Sequence, residues 1–503
     1  MIISLNWLKE WIKVDVDLPY LSDLLTTAGL EVSSISRVQE FSNKIRVAEV
    51  VSTTDLPGNS SLKICQVDVG QRRHVGIVCG AANVEVGHRV VAAMPGSSLP
   101  GGKTIRVADF GGQKSRGMLC SADDLRLDYS TDNSAGLLVL DSNAPVGNSL
   151  NDYLQVDDQI IDIDLTPNRG DCLSIQGIAR ELHALTGEKL AGPSLKPVRA
   201  TSKHIVQLEI QAPRDAPRYV GRVIDGVVSQ SKTPDWMRER LRRCGLRSIG
   251  AIVDITNYVM LELGQPLHAF DLKEIKEKIV VRHSEKGENL DLLDRKSIQL
   301  TPETLVIADA DKAIGMAGIM GGMNSSIDGQ TTSIMLEAAY FRPGAIARKA
   351  RTYGIQSEAS FRFERKVDPG LQRTAIERAT QMITASVGGQ PGPVFQKVSE
   401  SHITTKNPIT LRRSRLIRLL GHTIPDKQVK STLESLGMRV RNLKSGWKVL
   451  PPSWRTDVEE EHDLVEEVVR IYGYDNVPTR DPKSVIAYTP DRESILTTDR
   501  LTD

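Results

Sequence analysis

Between residues 39 and 148 the chain is written almost wholly in short β-branched runs. RVAEVVS, KICQVDV, HVGIVC and RVVAAM follow one another, separated by Gly, Pro, Asn and Ser. Such runs are too short for buried helices, and their turn residues reverse the chain every few positions. This pattern predicts a small antiparallel barrel and constrains the rest, because the flanking segments read differently. In residues 1–38, Leu21, Leu24, Leu25 and Ala28 recur at helical spacing and Gly29 suits a helix C-cap. After the barrel, Pro167, Asn168 and Gly170 form a turn, and Asp171 or Ser174 can cap a helix carrying Ile178, Leu182 and Leu185. The barrel is thus flanked on both sides by helix-bearing segments, residues 1–38 and 149–199.

A chain of 503 residues implies several domains. The formal net charge is +1, so no global basic field advertises nucleic acid, and any RNA contact must come from local patches. The five cysteines are scattered without metal spacing, which predicts reduced thiols and a cytoplasmic protein. Lys9, Glu10, Lys13 and Asp15 interrupt any signal-peptide core, and no apolar run is long enough to span a bilayer.

Residues 200–395 mix strands and helices. Within 400–478, two short helices precede a strand pair and a third helix, which predicts a winged-helix-like module. Leu411 to Leu420 reads as a basic amphipathic helix, and Asp426 as the cap of the next. The third helix opens on Asp457-Val-Glu-Glu-Glu-His-Asp463-Leu-Val-Glu466-Glu467. Glu466 and Glu467 follow Asp463 at i+3 and i+4, so these carboxylates share one face, and Asp457 can fold back toward them. Either this acidic turn is solvated and complements the helix dipole, or a hard cation such as Mg²⁺ sits among the oxygens. Spacing alone favours the former.

Several strings resemble those of the bacterial phenylalanine–tRNA ligase β-subunit family. The acidic string is one, with Glu460 standing where the family usually has an apolar residue. LTPNRGDCLS is a second. MPGSSLPGG and SRGMLCSADDL resemble the tRNA-binding OB-fold appended to several synthetases, although Leu56 to Lys63 departs from the family's His-Pro opening. GQPLHAFD, GIMGG, MLEAAYF and QSEASFRFER resemble the family's editing domain.

The resemblance implies an α+β multidomain chain. It comprises an α+β domain in two parts (1–38 and 149–199) with an OB barrel (39–148) inserted between them, an editing domain (200–395), the winged-helix-like module with the acidic motif (400–478), and a tail (479–503) where a further synthetase-like domain would begin. It implies tRNA binding and hydrolysis of tyrosine misattached to tRNA(Phe). Glu337 would recognise the phenol and His268 would stand at the pocket mouth. Asn257, Gly321, Ser357 and Ala359 would line the wall, with Ser357 where the family often has Thr. Asp457, Asp463, Glu466 and Glu467 would hold a Mg²⁺ shared with an α subunit. That α subunit would carry the ATP-dependent adenylation site, within an α2β2 tetramer. Lys63, Arg72, Arg73, Lys114 and Arg116 supply local positive charge for tRNA. On the residues alone, His268 reads as structural and Glu337 as the partner of Arg342 or Arg348. A free-standing tRNA-binding or trans-editing protein, or an inactive short form, is the alternative.

Overall fold

The computed structural model describes residues 1–129 and 136–479. All of the 479–503 tail except Thr479 lies outside them. The strand Gln159–Asp164 lies between Ile2–Ser4 and Glu31–Arg37, antiparallel to both, so segments on either side of the barrel share one sheet. Two helices cover this unit. Leu18–Thr27 is capped by Asp17, with Gly29 left-handed just beyond it. Ile175–Thr186 is capped by Ser174, whose Oγ accepts from the Gly177 amide at 3.0 Å.

The inserted unit is a five-stranded antiparallel sheet in the order Val75–Cys79, Asn59–Asp68, Ile45–Leu56, Arg89–Ala93, Met118–Leu119. It curls until its ends meet. The Arg116 amide donates to Gly76 O at 2.9 Å, and the Val78 amide donates to Ser115 Oγ at 3.0 Å. Period-two alternation explains its apolar runs. Val90 and Ala92 face a core with Val50, Cys65 and Ile77, while Val91 and Ala93 face a second one with Leu99, Leu138 and Leu150.

The central unit is built on two sheets. One runs Leu267–Asp271, Ser333–Tyr340, Arg218–Asp225, with Gln390–Pro391 and Phe395–Val398 on the outer edge. The other runs Gln207–Ile210, Lys278–His283, Leu305–Ala308, Ala313–Met316, Met320–Gly321. The long central strands alternate cleanly between two cores. Val220, Leu336 and Ala338 pack with the helices Ala251–Leu263 and Gln372–Ser386, whereas Tyr219, Met335 and Ala339 pack toward the second sheet.

The last unit carries three helices and a three-stranded sheet, Ile409–Arg412, Gly446–Leu450, Arg439–Leu443. The expected helix at 411–420 begins only at Arg413, because Ile409 to Arg412 pairs with Gly446 to Val449 as a strand. Helix Asp426–Ser435 follows Pro425, and the Asp426 side chain pairs with Arg413 instead of capping. No helix of the described residues is long and apolar enough to cross a membrane.

Candidate editing pocket and acidic motif

His268 and Glu337 sit directly opposite each other on neighbouring antiparallel strands. Both line a small cavity of about 90 Å³, with Met316, Gly321, Ala359 and Phe363 among its other walls. That is several times the ~10–15 Å³ one water needs. On the other side of Glu337 the strand partner is Gly221, whose missing Cβ makes room for the Phe395 ring, and Tyr219 lies two residues along the same strand. The Tyr219 hydroxyl donates to Glu337 Oε2 at 3.1 Å, and both residues are buried. Burial pushes the Glu337 carboxyl up to about 7, with the Tyr219 hydrogen bond opposing the shift. Arginine does not neutralise it: Arg342 is bound to Asp215 at 2.7 Å, and Arg348 faces Glu303.

Burial moves His268 the other way, down to about 4, so the ring is neutral near pH 7. Its ring meets Phe270 edge-on at 4.4 Å, and Nε2 is buried with no hydrogen-bond partner. Gly321 lies against that ring. A Cβ there would sit 2.6 Å from His268 Cε1 and 2.9 Å from Nε2, so the close approach requires glycine. Among the described residues, the cavity wall carries no serine, threonine or cysteine.

Ser357 and Asn257 stand away from the cavity. Ser357 caps helix Glu358–Glu364, and its Oγ donates to Ile319 O at 2.8 Å. It thus ties the helix bearing Ala359 and Phe363 to the loop that forms another wall. Asn257 is carried by helix Ala251–Leu263, which packs on the opposite face of the Glu337 sheet.

The structure does not gather the four carboxylates of the acidic motif. Arg455 is buried between two of them, donating to Asp457 through Nε at 3.0 Å and Nη2 at 2.8 Å, and to Glu467 through Nη1. Arg470 adds a 2.8 Å bond to Glu467. Burial opposes ionisation of Glu467, but the two guanidinium groups outweigh it and hold the carboxyl far below its usual range. Asp463 Oδ2 accepts the amides of Glu459 and Glu460 at 2.8 and 2.7 Å, and Glu466 is exposed. With these donors already engaged, the motif does not fit a cation chelated by this chain alone. The converging group among the described residues is instead Asp171, Cys172 and Glu181. Arg169 fills it, braced on Asp171 at 3.1 Å and on Glu181 at 2.6 Å.

The five cations expected to meet tRNA border the edge strand Val75–Cys79 of the inserted unit. Arg72 and Arg73 are exposed in the turn before it, Lys114 and Arg116 flank the segment bonded to it, and Lys63 pairs opposite Cys79. None of the five forms an ion pair among the described residues.

Sequence reasoning missed Tyr219 and Arg455. Tyr219 meets Glu337 across 118 positions of sequence, and no local pattern announces such a pairing. Arg455 stands two residues before Asp457, so the basic neighbour of the acidic string was the available signal.

Comparisons with known proteins follow the same division. A putative tRNA binding domain matches residues 45–149, a B3/4 domain 215–388, and a tRNA synthetase B5 domain 409–474. The phenylalanine–tRNA ligase beta subunit of Pectobacterium atrosepticum is 45% identical over 98% of this chain. That of Methylococcus capsulatus is 45% identical over 100% of it. An N-terminal fragment of the phenylalanyl-tRNA synthetase beta subunit from Pyrococcus horikoshii superposes over 94% of this chain and 99% of its own, at 12% identity and a TM-score of 0.40. The chain spans 62% and 63% of the length of the two curated relatives. Over the length it has, the chain belongs to the family of phenylalanine–tRNA ligase beta subunits.

Proposed function

We propose that this chain works as the β subunit of a cytoplasmic phenylalanine–tRNA ligase. In this reading the α subunit performs the ATP- and Mg²⁺-dependent attachment of phenylalanine, within an α2β2 tetramer. The chain supplies tRNA binding and hydrolytic removal of tyrosine wrongly attached to tRNA(Phe). Relatives bearing the subunit's name favour this over a free-standing editing protein. Residues 39–148 serve as an OB barrel, a reading supported by the curled five-stranded sheet and by stacking and charge as the general means of holding single strands. Residues 200–395 serve as the editing domain, and 400–478 as a winged-helix-like packing unit.

The observation that carries the editing reading is the buried Glu337, held by one neutral hydroxyl and facing a neutral histidine inside a small apolar cavity. A phenyl pocket that merely tolerates an added hydroxyl discriminates by about 10²-fold, whereas one that hydrogen-bonds the hydroxyl reaches ~10⁴ or more. Glu337 offers the phenol that bond. Among the described residues the wall has no hydroxyl or thiol nucleophile, so in this reading water attacks the ester directly. His268 is too weak a base near pH 7 to remove a full proton. Its free Nε2 orients the water or the ester. Asn257 and Ser357 shape the pocket from behind, through the sheet and the Ile319 loop.

Tyrosyl-tRNA(Phe) and phenylalanyl-tRNA(Phe) should be deacylated at clearly different rates by this chain. Glu337→Ala should erase the difference, and His268→Ala should slow both reactions while keeping it. Full discrimination by Glu337→Ala would reduce Glu337 to a structural residue.

A further inference from the structure

A second cleft, of about 460 Å³, opens where the central unit meets the last one. Its cations are Arg218, Arg342, Lys366 and Lys406, against the single lining carboxylate Glu459. Lys366 approaches Glu459 at 3.6 Å, and Arg342 is compensated from outside the cleft by Asp215. Among the described residues the other two cations have only carbonyl partners: Arg218 donates to Pro369 O and Lys406 to Val458 O at 3.0 Å. Arg218 Nε is buried without any partner. Burial draws the Lys406 ammonium down, Glu459 and Asp457 oppose the shift, and Lys366 and Arg455 push with it. Thr404, Thr405, Ser453 and Thr456 add hydroxyl donors, and Tyr340 adds a ring. Arginine, lysine and short hydroxyls are the donors that proteins use on phosphate oxygens, and an aromatic ring takes an unstacked base.

The cleft adjoins the elements of the editing cavity. Tyr340 ends the strand bearing Glu337, about 10 Å along it at ~3.3 Å per residue and, by the period-two alternation, on the other face of the sheet. Lys366 lies three residues beyond Phe363, a wall of that cavity. We infer that this cleft binds the phosphodiester backbone of single-stranded RNA, namely the unpaired end of the tRNA whose ester enters the cavity. The inference rests on the editing reading and adds a phosphate-binding site to it.

The experiment measures binding of unacylated tRNA at several salt concentrations for the whole chain, Lys366→Gln and Ser453→Glu. Ser453 is exposed and makes no contact the fold requires, so it keeps the test informative if Lys366→Gln unfolds; thermal melting checks both. Lys366→Gln should weaken binding several-fold and flatten the plot of log affinity against log salt by about 0.7 for the lost contact to a single strand. Ser453→Glu should weaken it further. Hydrolysis of tyrosine esterified to adenosine, which carries no phosphate, should be unchanged in both variants. Unchanged tRNA affinity and slope in both variants would overturn the cleft. So would unchanged tRNA affinity with weakened capture of an α subunit, because the cleft would then be a protein-docking surface. A small ester that the unaltered chain leaves uncleaved would overturn the editing reading separately, whatever the tRNA binding shows.

Discussion

The Tyr219 hydroxyl donates to Glu337 Oε2 at 3.1 Å in a buried pair that no arginine among the described residues reaches. This bond fixes which way the carboxylate faces and leaves its other oxygen for the cavity. Tyr219→Phe should therefore lower tyrosine discrimination without abolishing it. Losing one hydrogen bond to a buried group costs about 1–3 kcal/mol, so the preference should fall by roughly 5- to 150-fold if the full loss appears in the transition state. Deacylation rates of the two esters by Tyr219→Phe and Glu337→Ala give the comparison. Equal preference in Tyr219→Phe and the unaltered chain would mean that Tyr219 only packs.

Gly321 gives a steric test. Its missing Cβ is what lets the His268 ring stand where it does. Gly321→Ala should push the ring aside and slow hydrolysis of both esters at least 10-fold, while the ratio between them changes little. Far-ultraviolet circular dichroism should stay unchanged, because the displaced ring borders a cavity. Undiminished hydrolysis would show that ring position is unimportant.

The two titratable groups of the cavity predict opposite pH effects on stability. Glu337 titrates higher folded than unfolded, so its contribution is full below about 4.5 and is lost as pH rises through about 7. His268 titrates lower folded than unfolded, so its contribution is full above about 6.5 and is lost as pH falls through about 4. Between about pH 4.5 and 6.5 the slopes cancel. Each variant should expose the other group. Urea unfolding of Glu337→Gln should show stability rising across that window, and His268→Gln should show it falling. Each slope approaches ~1.4 kcal/mol per pH unit. Identical profiles for both variants and the unaltered chain would place these groups in solvent.

Much of this molecule was legible because local chemistry and tertiary structure agreed. Ser174 caps its helix, Gly29 closes another, and the β-branched runs became the strands of a curled sheet. His268, Gly321, Glu337 and Ala359 converge on one cavity although they are spread over about ninety residues. What the sequence concealed was pairing across distance. Leu411 obeys a helical period yet enters a strand, because Trp447 offers it a ladder partner. Asn257 and Ser357 lie in strings adjacent to the pocket, but Asn257 rides a helix on the far face of the sheet, and the geometry of a helix cap turns Ser357 away. The acidic string shows the same limit. Spacing placed Asp463, Glu466 and Glu467 near one another, and only the fold revealed a buried guanidinium between Glu467 and Asp457.

That guanidinium supplies the last prediction. Arg455 is 1% exposed and binds both Asp457 and Glu467. Glu467 continues through Arg470 to Glu181 at 2.6 Å, and Glu181 continues to Arg169, so the ion chain joins the last unit to the first. Removing one member of a buried pair leaves uncompensated charge and typically costs about 3–5 kcal/mol. Arg455→Met should cost that much in urea unfolding at low Mg²⁺. The unaltered chain should bind Mg²⁺ only weakly by calorimetry, because Arg455 already occupies the oxygens. In Arg455→Met, Asp457 and Glu467 would repel each other, and millimolar Mg²⁺ should restore part of the lost stability. Tight stoichiometric binding by the unaltered chain would show that the carboxylates can turn from the arginine to a cation without help from a partner subunit. No rescue in the variant would show that Asp457 and Glu467 brace the domain interface and hold no metal.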